Sequence, residues 1–180
     1  MKQLIATLLL LGLAFHQAQA QDDSNFHHTD KGSHLAGGTI SLASSFANSY
    51  NVFGANLNPN YGYFFADRMA VGGILSLDYS KSNTSDPSSL ATLSPFFRYY
   101  FGPNKPLMFF GYASAGGGIY NYNKSSDWLY SFQVGPGVDY FVNEHVALEG
   151  LVTYKGSQVT TTKQDYTNTL GLLVGLQIFF

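Results

Sequence analysis

The chain has no cysteine, a single tryptophan, and charged side chains at only 11% of its 180 positions. Without cysteine there can be no disulfide framework and no thiolate metal site. The shortage of charge matters more. A soluble domain usually carries about 25% charged residues to face water, so this surface is built for another solvent. A formal net charge of −2, falling to −3 if Lys2 is removed, offers no basic patch for nucleic acid. An apolar run long enough for a membrane-spanning helix is missing too. Leu4 to Phe15 is apolar but shorter than the roughly 20 residues such a helix needs.

That run sits behind Lys2 and ahead of Ala18-Gln19-Ala20, a small-x-small pattern. Residues 1–20 therefore read as a signal peptide for export, cleaved near Ala20. Residues 21–33 are polar and read as a mobile periplasmic leader. Its Asp22, Asp23, His27, His28 and Asp30, together with His34, can be written as metal ligands. A ligand set needs a rigid scaffold, so the expectation is a solvated leader with no metal and no cofactor.

What is abundant is aromatic side chain, at 16%, and glycine, with 19. From residue 34 to 180 the chain divides into segments near 34–47, 55–65, 70–80, 89–101, 108–122, 128–141, 145–155 and 166–180. Turn-forming clusters separate them, which predicts all-β structure. Connectors at 66–69, 102–107 and 143–144 are short. Those around 48–54, 81–88, 123–127 and 156–165 are expected to be longer polar loops.

Each segment carries an apolar face and a small or polar face. Leu170, Leu172, Val174, Leu176, Ile178 and Phe180 oppose Thr169, Gly171, Leu173, Gly175, Gln177 and Phe179. Val71, Leu75, Leu77 and Tyr79 likewise oppose Gly72, Ile74, Ser76 and Asp78. The charges Asp78, Arg98, Asp139 and Glu149 all fall on the polar faces. A Lys or Arg facing lipid at mid-bilayer costs about 2–4 kcal/mol, so charge-free apolar faces fit an outward lipid contact. Aromatic residues gather at segment ends, Tyr63, Phe65, Tyr99, Phe101, Tyr140 and Phe180 at one side. Tyr79, Tyr120, Tyr122, Trp128, Tyr130, Tyr154 and Tyr166 gather at the other. The fold expected is all-β, an eight-stranded antiparallel up-and-down transmembrane β-barrel in a bacterial outer membrane, with lipid as its surroundings. Segment 108–122 shows no clear facing. Pro136 predicts a bulge near Gly135-Pro136-Gly137.

The terminal Gly175-Leu176-Gln177-Ile178-Phe179-Phe180 resembles the C-terminal signal by which outer-membrane barrels are recognised for assembly. Gly175, Ile178 and Phe180 match that signal, and Leu173 stands where a polar residue is usual. Residues 63–72 and 137–150 resemble strand–turn–strand units of the small outer-membrane β-barrel (porin-like, OmpA/OmpX-type) family. The resemblance implies a barrel domain over residues 34–180 and the barrel assembly machinery as a partner. It implies no catalytic motif.

Chemistry is sparse. Gly116-Gly117-Gly118 lacks the Lys-Ser/Thr of a phosphate loop, and lumen-facing glycines explain it better. A serine hydrolase needs a histidine within reach of its nucleophile. The one histidine after His34 is His145, in an expected turn away from Ser157 and the other loop hydroxyls. The expectation is a non-enzymatic protein with a structural, envelope-support or loop-mediated interaction role, its extracellular ligand unknown. A narrow channel or binder for small solutes or lipids is the alternative, and a lipid-modifying barrel enzyme the third reading. Counting from the turns puts Arg98, Asp139 and Glu149 at similar depth, as a lumen charge network. On this count Arg98 is the one lumenal cation, and Asp78 lies alone near the other mouth.

Overall fold

A computed structural model describes residues 28–47, 50–102, 106–123, 125–160 and 166–180. The signal segment, and Asp22, Asp23 and His27 of the leader, lie outside the described residues. The strands are β1 (His34–Ala47), β2 (Tyr50–Ala66), β3 (Met69–Ser82), β4 (Ser88–Phe101), β5 (Leu107–Tyr122), β6 (Ser125–Phe141), β7 (Val146–Val159) and β8 (Thr167–Phe179). Each pairs antiparallel with its sequence neighbour, and β1 pairs with β8 to close a barrel. With eight strands, both termini fall at one end, here called the terminal end; the other is the distal mouth.

Period-two alternation sets the facing throughout. Along β4, Thr92, Ser94, Phe96, Arg98 and Tyr100 are buried, while Leu93, Pro95, Phe97 and Tyr99 are exposed. Outward residues such as Leu75, Leu77, Leu148, Val152, Leu172 and Ile178 are exposed despite being apolar. A barrel in water would leave that surface unfavourably wet. β5 does have a facing: Met108, Phe110, Tyr112 and Gly118 point in, and Phe109 and Ile119 point out.

The distal hairpins differ from the loops expected there. β2 begins at Tyr50, β6 at Ser125, and β7 runs on to Val159. Residues assigned to loops pair instead, as in Asn51 with Phe46 and Tyr122 with Ser125. Thr, Ser, Asn and Tyr lose apolar alternation beyond the bilayer, yet an antiparallel ladder needs only backbone groups to continue. Connector length therefore does not distinguish the two ends.

No bulge forms at Pro136. Val134 pairs with Tyr154 and Gly137 with Leu151, the same register on either side of a two-residue gap. Pro59 and Pro95 behave likewise. A proline has no N–H to donate, so one ladder is interrupted without an inserted residue. On its intact side each proline faces a glycine: Gly38 for Pro59, Gly73 for Pro95, Gly111 for Pro136. The register shift that does occur lies between Phe64 and Ala66. It leads into the turn where Arg68 adopts φ 64°.

Inward glycines mark where strands crowd. A Cβ on Gly72 would stand 2.6 Å from both Gly62 Cα and Phe96 Cζ and would also meet the Tyr61 carbonyl. Because backbone cannot step aside, Gly72→Val is expected to lower stability by about 1–3 kcal/mol. Gly73→Val, where a Cβ meets nothing within 4 Å, should cost clearly less; urea titration of vesicle-folded protein compares them.

Candidate functional site

The lumen is filled in layers. At the terminal end Leu35, Phe64, Met108, Phe110, Phe141 and Phe179 form a buried apolar plug. His28 enters it from outside the strands, stacked on Phe141 at 4.3 Å between ring centroids. His28 and Thr29 are buried, and Thr29 accepts a hydrogen bond from the Arg68 N–H at 2.6 Å. This part of the leader is thus packed against the barrel, not solvated. Aromatic neighbours draw it in, a contact that polar flanking sequence does not reveal.

Directly above the plug lie the charges. Arg98, Asp139 and Glu149 are each at most 3% exposed. Arg98 Nη1 donates to Glu149 Oε2 at 2.5 Å. Asp139 and Glu149 are cross-strand partners on β6 and β7. Tyr100, two residues along β4 from Arg98 and on the same face, donates its hydroxyl to Asp139 Oδ2 at 2.9 Å. The guanidinium also lies 4.8 Å from the Phe110 ring centroid and 5.4 Å from that of Phe96, within cation–π range. The three charges placed together by counting are therefore in one layer, joined by Tyr100. That tyrosine was legible from its spacing to Arg98 but was not picked out.

A second polar set occupies the distal half, and here the count from sequence needs correcting. Lys155 faces the lumen, because β7 extends past it and residues 149, 151, 153 and 155 share a face. Its Nζ is 3.8 Å from Asp78 Oδ2, with the two side chains 26% and 32% exposed. Arg98 is thus not the sole lumenal cation, and Asp78 is not alone. Asp78 also accepts from Asn56 Nδ2, and Asn58 Nδ2 donates to Asn56 Oδ1 and, at 3.0 Å, to Thr39 Oγ1. A cavity of about 320 Å³ adjoins this chain, lined in part by Ser41, Asn56, Asp78, Ser80, Ser88 and Tyr120.

The residues of the terminal motif are placed but not brought to any site. Gly175 lies against the β1 backbone, so that a Cβ would meet the Gly38 carbonyl. Ile178 and Phe180 point outward, and the Phe180 ring stacks on His34 at 5.6 Å. Among the described residues no group of three or more His, Cys, Asp or Glu converges as a metal site.

A family model described as outer membrane protein beta-barrel domain matches residues 6–177. No curated protein matches the sequence. The crystal structure of the outer membrane protein OprG from Pseudomonas aeruginosa is similar, with a TM-score of 0.52 at 14% identity over 84% of this chain and 97% of that one. Neisserial surface protein A gives 0.49 at 16% identity, over 81% and 94%. The N-terminal barrel domain of Pseudomonas aeruginosa OprF gives 0.47 at 17%, over 84% and 98%. At such identities the likeness to OprG is one of fold.

Proposed function

The chain belongs to the outer membrane β-barrel protein family, and we propose that it is a non-enzymatic, plugged barrel with a structural or interaction role in the envelope. It lies in the bacterial outer membrane with its apolar outer face against lipid. In this reading the terminal end faces the periplasm, and Gly175, Ile178 and Phe180 serve as the recognition signal for the barrel assembly machinery.

The observation that carries the reading is the filling of the lumen. The largest fully buried side chains include Arg98, Tyr100, Phe64, Phe110 and Phe179. All face inward in the terminal half. Eight strands leave an interior just wide enough for side chains to fill, and here rings and an ion pair fill it. An enzyme is less well supported. The described histidines, His28, His34 and His145, sit at the terminal end. The lumenal hydroxyls Thr39, Ser41, Ser80, Thr92 and Thr153 lie in the middle and distal parts of the barrel.

Planar-bilayer recording separates this from the channel reading. The purified, folded barrel is expected to give no steady single-channel steps. Reproducible ion-conducting steps from heat-modifiable protein would establish a channel and overturn the plugged reading.

A further inference from the structure

The barrel wall is closed unevenly. Between β1 and β8 the ladder runs from Leu35 opposite Phe179 to Ile40 opposite Val174, and there it stops. Both strands continue past that point. The same register would set Ser41 against Leu173, Leu42 against Leu172, and finally Ala47 against Thr167. Instead, among the described residues, β1 is held in this stretch by β2 alone, and β8 by β7 alone. Leu42, Leu170 and Leu172 flank the opening at 69%, 77% and 68% exposed, comparable to Leu93 on the intact β4 wall at 66%.

An unpaired strand edge is not tolerated against hydrocarbon, where nothing replaces its hydrogen bonds; it is tolerated where it borders a water-filled space. This one borders a cavity of the distal lumen. Ser41, the first β1 residue beyond the last pair, lines that cavity with Asn56, Asp78 and Ser80, and Ala55 and Leu90 give it apolar surface as well. The outer rim of the gap is apolar, formed by Ile40, Leu42, Leu170 and Leu172. Strands tilted about 40° climb about 2.5 Å per residue. Val174 therefore sits near mid-bilayer, and Leu170, opposite Tyr154 of the distal aromatic girdle, near the interface. The gap is a slot through the distal leaflet with an apolar rim, and Ser41, Asn56 and Asp78 place hydrogen-bonding groups behind it.

We propose that this seam is a lateral binding site for a single-chain amphiphile. The alkyl chain lies between Leu42 and Leu172 on the lipid side. The head enters the lumen beside Ser41, Asn56 and Asp78. Because Asp78 is already balanced by Lys155, the head that fits is uncharged or zwitterionic and rich in hydrogen-bonding groups. A second copy of the chain is the poorer occupant, since the two free edges of one chain already stand in register with each other. The site is independent of the plug, so a conducting barrel would retain it.

The absence of native cysteine permits a clean crosslink. Ser41→Cys with Leu173→Cys places two thiols at the first unpaired register position, and oxidation shuts the slot at its base. The protein, folded in dioleoylphosphatidylcholine vesicles, would be irradiated with a dodecanamide whose hydroxylated head carries a diazirine. Labelled peptides are then mapped. The reduced protein is expected to take saturable label at Asn56, Asp78 and Ser80. Oxidation should reduce it about tenfold, reduction should restore it, and the head group without its chain should not label. Ser41→Trp, blocking the slot sterically, gives the same readout should the crosslink not form. Heat-modifiable migration verifies folding of every variant. Lumenal label that survives both blocks would mean entry through the distal mouth, and label confined to outward residues would mean no site. A disulfide between two copies in place of the intramolecular one would make the edge an oligomer contact. Each of these results overturns the proposal.

Discussion

Replacing Arg98 with alanine is expected to destabilise the folded barrel by about 3–5 kcal/mol, the cost of stranding a buried charge without its partner. Arg98 is the cation of its layer. It bonds Glu149 directly, and Tyr100 stands beside it with its hydroxyl on Asp139. Without the guanidinium, Asp139 and Glu149 face each other across the β6–β7 ladder, both buried and with water excluded by the Phe96 and Phe110 rings. Truncation also removes the cation from those ring faces. Asp78→Ala provides the contrast. Its pair with Lys155 is looser and about 30% exposed, where an ion pair contributes about 0–1 kcal/mol. The measurement is urea unfolding in lipid vesicles, extended to double-mutant cycles of Arg98 with Glu149 and with Asp139. Coupling within error of zero in both cycles would mean that the layer does not act as a unit.

That layer was reachable from sequence because its depth depends only on counting residues from short turns. Arg98, Asp139 and Glu149 are each a few residues from the terminal end of a strand, and alternation fixes the face. The same arithmetic reached Lys155, the last residue of the expected segment 145–155 and on the face of Glu149, but at the boundary with an expected polar loop its charge was not counted in the lumen. Past the bilayer the apolar face gives way to Ser, Thr and Gln, yet backbone pairing continues to Val159. Hydropathy marks the membrane boundary, not the strand boundary. The prolines misled in a related way. A missing donor was read as a bulge, whereas each of Pro59, Pro95 and Pro136 interrupts one ladder, faces outward, and stands opposite a glycine on its other side.

Other features had no local signal at all. His28 is buried through contacts with Phe141 and Phe179, residues more than a hundred positions away in sequence. The incomplete β1–β8 seam joins the first strand to the last. Whether those edges meet depends on how all eight strands tilt and close, a property that no single segment encodes. Alternation therefore reveals what each strand shows to lipid and lumen. It is silent on which edges remain apart.

Leu75→Arg tests the lipid contact itself. Leu75 points outward from β3 with 40% of its surface exposed, opposite Leu93 on β4. It stands six residues from Met69 at the terminal end, a climb of about 15 Å, and so lies near the middle of an apolar band about 25 Å tall. An arginine there should cost about 2–4 kcal/mol, because hydrocarbon offers its five donors nothing. Surrounded by water, the same exposed position would tolerate arginine within about 0.5 kcal/mol. The sign of burial is what the membrane reverses, so the inward counterpart should behave oppositely. Gln177 is fully buried, and neither of its amide atoms finds a hydrogen-bond partner among the described residues. Gln177→Leu removes two unsatisfied polar groups from the lumen and should cost much less than Leu75→Arg. Both variants can be followed by the fluorescence of Trp128 during urea titration in phosphatidylcholine vesicles. A Leu75→Arg barrel as stable as the parent would place that face in water and refute the lipid-facing assignment, whatever the strand order.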